Sequence, residues 1–243
     1  VRLIFAHGWM GDSGLFGPLI RQLDQDAYSC VLVDARGYGG RRDEVGELGF
    51  IDTVSDVLTV ADALGWDQFH IIGHSMGGLV AQWLQSRHAS RILSGVLIAP
   101  VPASGALLDA ARLTLLSRAI EDAALRRELI DVNTGRMKGA AWVDELLEQS
   151  LRTTSQAGMA AHLKSWSTAK FSVPTVGAPP PMLVVTGDRD PGCSESRMRE
   201  TIIATNPAAV LSVLHEAGHY PMIECPERLA KVIDAYLRGI KRS

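Results

Sequence analysis

Residues 73–77 read Gly-His-Ser-Met-Gly, the pattern G-x-S-x-G. The pentapeptide closes an apolar run, FHIIG, and opens a stretch with helical spacing, MGGLVAQWLQSRH, so Ser75 falls where a strand gives way to a helix. An elbow of that kind holds its serine in strained backbone geometry. Any side chain at the flanking glycines would collide with neighbouring strands. It also sets the hydroxyl beside a helix N-terminus, where free N–H groups stabilise negative charge. The chemistry this allows is nucleophilic attack, provided that a base, an acid and an oxyanion site are supplied from elsewhere.

A free hydroxyl is a poor nucleophile at neutral pH and requires a base. His219, in the Gly-His-Tyr-Pro loop after the last apolar run, has the position for it, whereas His215 closes that run itself and reads as a packed or hydrogen-bonded residue. The acid belongs between them, in the chain order Ser, Asp, His. Gly187-Asp188-Arg189-Asp190 offers two carboxylates. Asp190, further into the loop, is the preferred partner of the histidine, and Asp188 is assigned to capping the turn or pairing with Arg189. Acyl transfer also needs donors for the developing oxyanion, and the stretch AHGWMGDSG (6–14) follows the first apolar run where such donors belong. The backbone N–H groups of Trp9 and Met76 are the expected pair. Gly8 lets the backbone approach closely, and His7 orients the loop by hydrogen bonding.

The elements that must position these residues follow from periodicity. Short β-branched runs at 1–6, 30–34, 69–73, 94–100, 181–188 and 209–214 read as strands buried on both faces, hence a parallel sheet. Between them lie LFGPLIRQLD, FIDTVSDVLTVADALG, SESRMRETIIAT and PERLAKVIDAYLRGI, all with helical spacing. Alternation of that kind builds βαβ crossovers with helices on both faces, an α/β architecture. From about residue 104 to 176 the rhythm breaks. ALLDAARLTLLSRAI, AAWVDELLEQSL and QAGMAAHLKSWSTA are amphipathic and no strand intervenes, so an inserted helical cap is expected, closed by VPTVGAPPPM. The expected division is core (1–103), cap (104–176) and core again (177–243).

Composition narrows the classes. A net charge of -3 gives no electrostatic reason to bind nucleic acid or an anionic membrane. Three widely spaced cysteines suggest neither a disulfide framework nor a zinc site and fit a reducing, cytoplasmic setting. No apolar stretch approaches the roughly 18 to 20 residues of a membrane span, and nothing resembles a signal peptide. No metal cluster or phosphate-binding glycine loop is evident.

With these loops in order, the chain resembles the α/β-hydrolase superfamily, in the compact capped type that includes carboxylesterases, enol-lactonases, cofactor-free haloperoxidase/perhydrolases and carbon–carbon bond hydrolases. His7-Gly8-Trp9 is similar to that family's oxyanion loop, Asp34-Ala35-Arg36-Gly37-Tyr38-Gly39 to its D-x-R-G-x-G turn, Gly73 to Gly77 to its elbow, Gly187 to Asp190 to its acid loop and Gly218-His219 to its histidine loop. Asp34 and Arg36 are expected to make structural loop contacts only. The family usually carries two antiparallel strands before the His-Gly loop, which here begins at His7, so that hairpin is expected to be missing from this sequence or to have been removed. Ser75, in place of an elbow aspartate, argues against haloalkane dehalogenases and epoxide hydrolases. His74 stands where carbon–carbon hydrolases carry asparagine and haloperoxidases an aromatic residue, which leaves the esterase and enol-lactonase branch.

The resemblance implies a Ser75-His219-Asp190 triad acting on a small ester or lactone with no cofactor and no metal. Two alternatives remain open: carbon–carbon cleavage or perhydrolysis on the same residues, and a hydrolase-fold ligand receptor with little turnover. Met137, Trp142, Met159, His162 and Trp166 are candidates for a pocket over Ser75, with Trp142 and Trp166 preferred, and His74 and Tyr220 flank it.

Overall fold

The structure is a computed structural model that describes residues 1–44, 46, 48–173 and 179–240. The apolar runs form β1 (Arg2–Ala6), β2 (Ser29–Val33), β3 (Phe69–His74), β4 (Ile92–Ile98), β5 (Met182–Gly187) and β6 (Ala209–Leu214). They make one sheet in the order β2-β1-β3-β4-β5-β6, with every pairing parallel. Each connection is therefore a crossover. Helices α1 (Gly17–Ile20), α2 (Phe50–Ala63), α3 (Met76–Arg87), α8 (Glu195–Met198), α9 (Pro221–Glu224) and α10 (Pro226–Gly239) belong to the core. Burial along α10 falls on Leu229, Ala230, Ile233 and Leu237, a single stripe that packs on the core while charged residues face outward.

The strands are not all buried on both faces. In β3 every residue is buried, but β2 and β6 form the two sheet edges, where Leu32 is 39% and Val210 55% exposed. An edge strand has a neighbour on one side only, so its apolar run carries the composition of a core strand without the full cover. The segment SESRMRETIIAT also departs from the single helix its spacing predicts. It forms α8 and then a wider, π-type turn over Arg199–Ile203.

Between β4 and β5 the chain leaves the sheet and folds as α4 (Ala110–Arg118), α5 (Ala123–Asn133), α6 (Ala140–Thr153) and α7 (Gln156–Thr168). Asp109, Asp122 and Ser155 cap three of these helices by accepting from the N–H of Arg112, Leu125 and Gly158. Helix α5 has no counterpart among the sequence expectations. Its buried Leu129 and Ile130 sit beside a buried cation, Arg126, whose guanidinium donates to the Ala119 and Ile120 carbonyls at the end of α4 and to Thr154 Oγ1. The expected boundary at 176–177 and half of VPTVGAPPPM, residues 174–178, lie outside the described residues. Among the described residues, no helix is long and apolar enough to cross a membrane.

The sheet order has one reversal. From β1 the chain moves outward to β2, then returns to place β3 on the other side of β1. The loops leaving β1 and β3 diverge there and open a crevice at the strands' carboxyl ends. Ala6 and Gly73 are register partners across that crevice, so the Trp9 loop and the Ser75 elbow emerge side by side.

Candidate active site

At the end of β3 the backbone turns into α3 within one residue. Ser75 takes φ 52° and ψ −111°, left-handed territory that a non-glycine residue adopts only under constraint. The constraint is a set of main-chain hydrogen bonds: the Ser75 N–H donates to the Ile98 carbonyl at 2.9 Å, and the Ser75 carbonyl accepts from Gly78 at 2.9 Å and Val101 at 3.0 Å. The flanking glycines are steric necessities. A Cβ on Gly77 would lie 2.1 Å from the Ala6 carbonyl oxygen, and one on Gly73 would lie 2.2 Å from that of Gly77.

His219 comes from the loop after β6 and reaches Ser75 across 144 residues of sequence, with Nε2 3.0 Å from Ser75 Oγ. Its Nδ1 is 2.7 Å from Asp190 Oδ2. The carboxylate fixes the tautomer: Nδ1–H donates to Asp190, and Nε2 is free to accept the serine proton. The other Asp190 oxygen, Oδ1, accepts from the Gly192 N–H at 2.8 Å and the Cys193 N–H at 3.0 Å. Burial by itself raises the Asp190 carboxyl, but the adjacent His219 and these two amides outweigh it and hold the group below the ordinary carboxylate value. Asp188 points elsewhere. Its oxygens lie 3.6 Å from Arg189 Nε and 3.3 Å from His215 Nδ1 at the surface.

The backbone around His219 is fixed at both of its polar groups. Its N–H donates to the Asn133 carbonyl at the end of α5 at 2.8 Å. Its carbonyl accepts from His74 Nε2, also at 2.8 Å. His74 is buried, which drives its pKa well below 6.5 and keeps the ring neutral; with Nε2 donating, Nδ1 is left as an acceptor with no partner among the described residues. The Tyr220 ring stands edge-on to His219, with centroids 5.3 Å apart.

The loop after β1 supplies the facing wall. His7 is buried and its pKa is lowered by desolvation, so the ring is neutral. Its Nε2 accepts from the Ala35 N–H at 3.0 Å and its Nδ1 donates to the Gly8 carbonyl at 2.7 Å, which fixes the loop ahead of Trp9. Trp9 Nε1 donates to the Met159 carbonyl of α7 at 2.8 Å, and the ring lies edge-on to Trp166 at 6.0 Å. Neither the Trp9 nor the Met76 backbone N–H donates to another group among the described residues. Asp34 accepts from the Ser13 and Gly40 N–H groups, and Arg36 pairs with Asp56 at 2.9 Å, so both brace loops away from the serine.

A cavity of about 110 Å³ opens over Ser75. That is on the order of the ~150 Å³ needed to take up a benzene ring. His74, Trp166 and Tyr220 line it. Trp142 does not. Its side of α6 turns toward Lys138, whose Nζ lies 5.7 Å from the ring centroid, because the buried face of α6 runs through Val143, Leu146 and Ser150 instead. Met137 is exposed, and His162, its Nε2 3.1 Å from the Arg36 carbonyl, is buried with Met159 on the inward face of α7. Sequence reasoning did not select Asn133, Cys193, Arg112 or Arg197, all of which border the cavity. Cys193, Asp190 and His219 bring three potential metal-ligating atoms within 4.8 Å of one another. The carboxylate and imidazole are already bonded to each other, however, and burial raises the Cys193 thiol well above its ordinary pKa, keeping it protonated and a poor ligand.

Residues 3–232 match the model of the alpha/beta hydrolase family, and the chain belongs to that family. It is 23% identical over 252 residues to 3-oxoadipate enol-lactonase 1 of Acinetobacter baylyi, covering 98% of this chain and 89% of that protein. It is 25% identical over 244 residues to the esterase YbfF of Escherichia coli, covering 97% and 92% respectively. An esterase structure from Exiguobacterium antarcticum superposes with a TM-score of 0.83 at 16% identity, covering 98% of this chain and 92% of that one, which establishes the α/β-hydrolase fold.

Proposed function

We propose that the protein hydrolyses a small carboxylic ester or lactone through an acyl-enzyme intermediate. The observation that carries this reading is the unbroken line from Ser75 Oγ through the His219 imidazole to Asp190, at 3.0 and 2.7 Å. In the first half-reaction Ser75 Oγ attacks the acyl carbon and its proton passes to His219 Nε2. The charge that forms on the acyl oxygen is met by the Trp9 and Met76 amides. Collapse breaks the acyl C–O bond, and the same proton goes to the leaving alkoxide. A water then attacks the acyl-serine, giving its proton to His219, and the acid departs as that proton returns to Ser75 Oγ. Asp190 stays ionised throughout and stabilises the imidazolium.

The names of the relatives, an enol-lactonase and an esterase, agree with the bond type. The test is hydrolysis of p-nitrophenyl esters of graded chain length by the native protein and by Ser75→Ala. A loss of about 10⁴-fold or more in the variant is expected, with short acyl chains preferred. Unchanged hydrolysis in Ser75→Ala overturns the mechanism. Refusal of every ester together with serine-dependent turnover of a dienone or a peroxide would move the same residues to carbon–carbon cleavage or perhydrolysis.

A further inference from the structure

Most of the wall over Ser75 is apolar, yet two arginines, Arg112 and Arg197, border the same cavity. Arg112 comes from α4 in the insertion and Arg197 from the first turn of α8 in the core, so they reach the cavity from opposite sides of the cap–core boundary. Both side chains belong to half-buried residues. Among the described residues neither has a carboxylate within ion-pair distance, in contrast to Arg36, Arg41 and Arg127. Arg197 is anchored at one end, where Nη2 donates to the Ala106 carbonyl, while its Nε is buried with no partner.

The buried carboxylate of Asp190 makes its close contacts to His219 and to the Gly192 and Cys193 amides and forms no ion pair with either arginine. His74, the other nitrogen base on the wall, is neutral. Two half-buried arginines beside a largely apolar space with no carboxylate paired to either are incompletely compensated, and an anion arriving from outside would complete them. The planar fork of a guanidinium matches the two oxygens of a carboxylate.

We propose that Arg112 and Arg197 form an anion subsite that selects ester or lactone substrates carrying a free carboxylate. Selection of a substrate rests on the hydrolase reading above; binding of the carboxylate does not. The carboxylate sits at the Arg112–Arg197 end and the scissile carbonyl at Ser75, with the short apolar spacer against Leu108 and Leu116. The small volume favours a spacer of a few carbons.

Binding and turnover are measured separately. Glutarate and its neutral dimethyl ester are titrated calorimetrically into Ser75→Ala, which cannot turn the diester over, and into the same variant carrying Arg112→Met, Arg112→Lys or Arg197→Met. Glutarate is expected to bind more tightly than the diester, to weaken about tenfold in each methionine variant, to weaken as salt is raised, and to recover in part in Arg112→Lys. In turnover, mono-p-nitrophenyl glutarate should exceed p-nitrophenyl valerate in kcat/KM by about tenfold, a ratio that falls toward one in the methionine variants. Arg197→Met loses its bond to Ala106, so thermal unfolding is followed for each variant, and Arg112, which makes no comparable bond, carries the decision if Arg197→Met fails to fold. Glutarate binding that is no tighter than the diester's, or indifferent to Arg112, overturns the subsite even if esters are hydrolysed. Arginine-dependent glutarate binding by a protein that hydrolyses no ester keeps the subsite and refutes the hydrolase reading.

Discussion

Replacement of Asp190 by asparagine tests the proton relay with almost no change of shape. Two backbone amides, from Gly192 and Cys193, point at Oδ1 and can be satisfied only by an acceptor. The asparagine carbonyl must therefore face them, which turns its NH₂ toward His219 Nδ1. A donor there forces the imidazole into the tautomer with the proton on Nε2, the nitrogen 3.0 Å from Ser75 Oγ. That nitrogen can then no longer accept the serine proton. Loss of the correct tautomer in a serine triad costs about 10⁴ in kcat, equivalent to roughly 5.5 kcal/mol of barrier. Stability should change little, since the two amides keep their acceptor. Asp188→Asn is the control: its carboxylate makes surface pairs with Arg189 and His215, worth about 0–1 kcal/mol, so turnover should stay within about threefold. The assay is kcat/KM on a p-nitrophenyl ester for both variants, with unfolding curves to show that each is folded. Native-like turnover by Asp190→Asn, or a larger loss in Asp188→Asn, refutes the tautomer argument.

Two further outcomes concern stability. Gly77→Ala should be destabilised by roughly 1–3 kcal/mol or more, because its Cβ meets main-chain atoms of Ala6 that no rotamer can clear; an unchanged urea midpoint would mean that the elbow is looser than its geometry. His70 and His162 are buried, and desolvation brings their pKa values down to about 4 from 6.5. The unfolded chain thus binds more protons than the native one across that interval, so their contribution is complete above pH 6.5 and is lost as the pH falls toward 4. At pH 5 each should cost about 2 kcal/mol, read as a lower urea midpoint than at pH 7.5; a higher midpoint at pH 5 would contradict the sign.

The sheet was readable because four of its strands are nearly continuous apolar runs, and the elbow because its glycines sit between such a strand and a helix. What the pattern could not convey was cover and rotation. VLV in β2 and AVLSVL in β6 have the composition of central strands, and nothing local records that each has a neighbour on one side only. Trp142 and Trp166 both lie on amphipathic helices, but which face of a helix meets a cavity depends on how the insertion docks. Helix α5 escaped notice because Arg126, Arg127 and Glu128 interrupt its apolar residues and read as a solvated surface, although Asp122 was a usable capping signal. The same reading hides Arg112 and Arg197, since a cation at helical spacing is ordinarily solvent-facing.

The attachment of residue 219 to the insertion has a practical side. Its amide is held by the Asn133 carbonyl, and Gly218 packs so tightly against Asn133 and Thr134 that a methyl group there would come within 2.4 Å of that oxygen. The base thus rests on scaffolding from a segment more than eighty positions upstream. Swapping this insertion for another in search of new selectivity would unmoor the imidazole unless the graft reproduced a carbonyl at the same spot. Chimeras should therefore be spliced outside the end of α5, with Asn133 and Thr134 left in place.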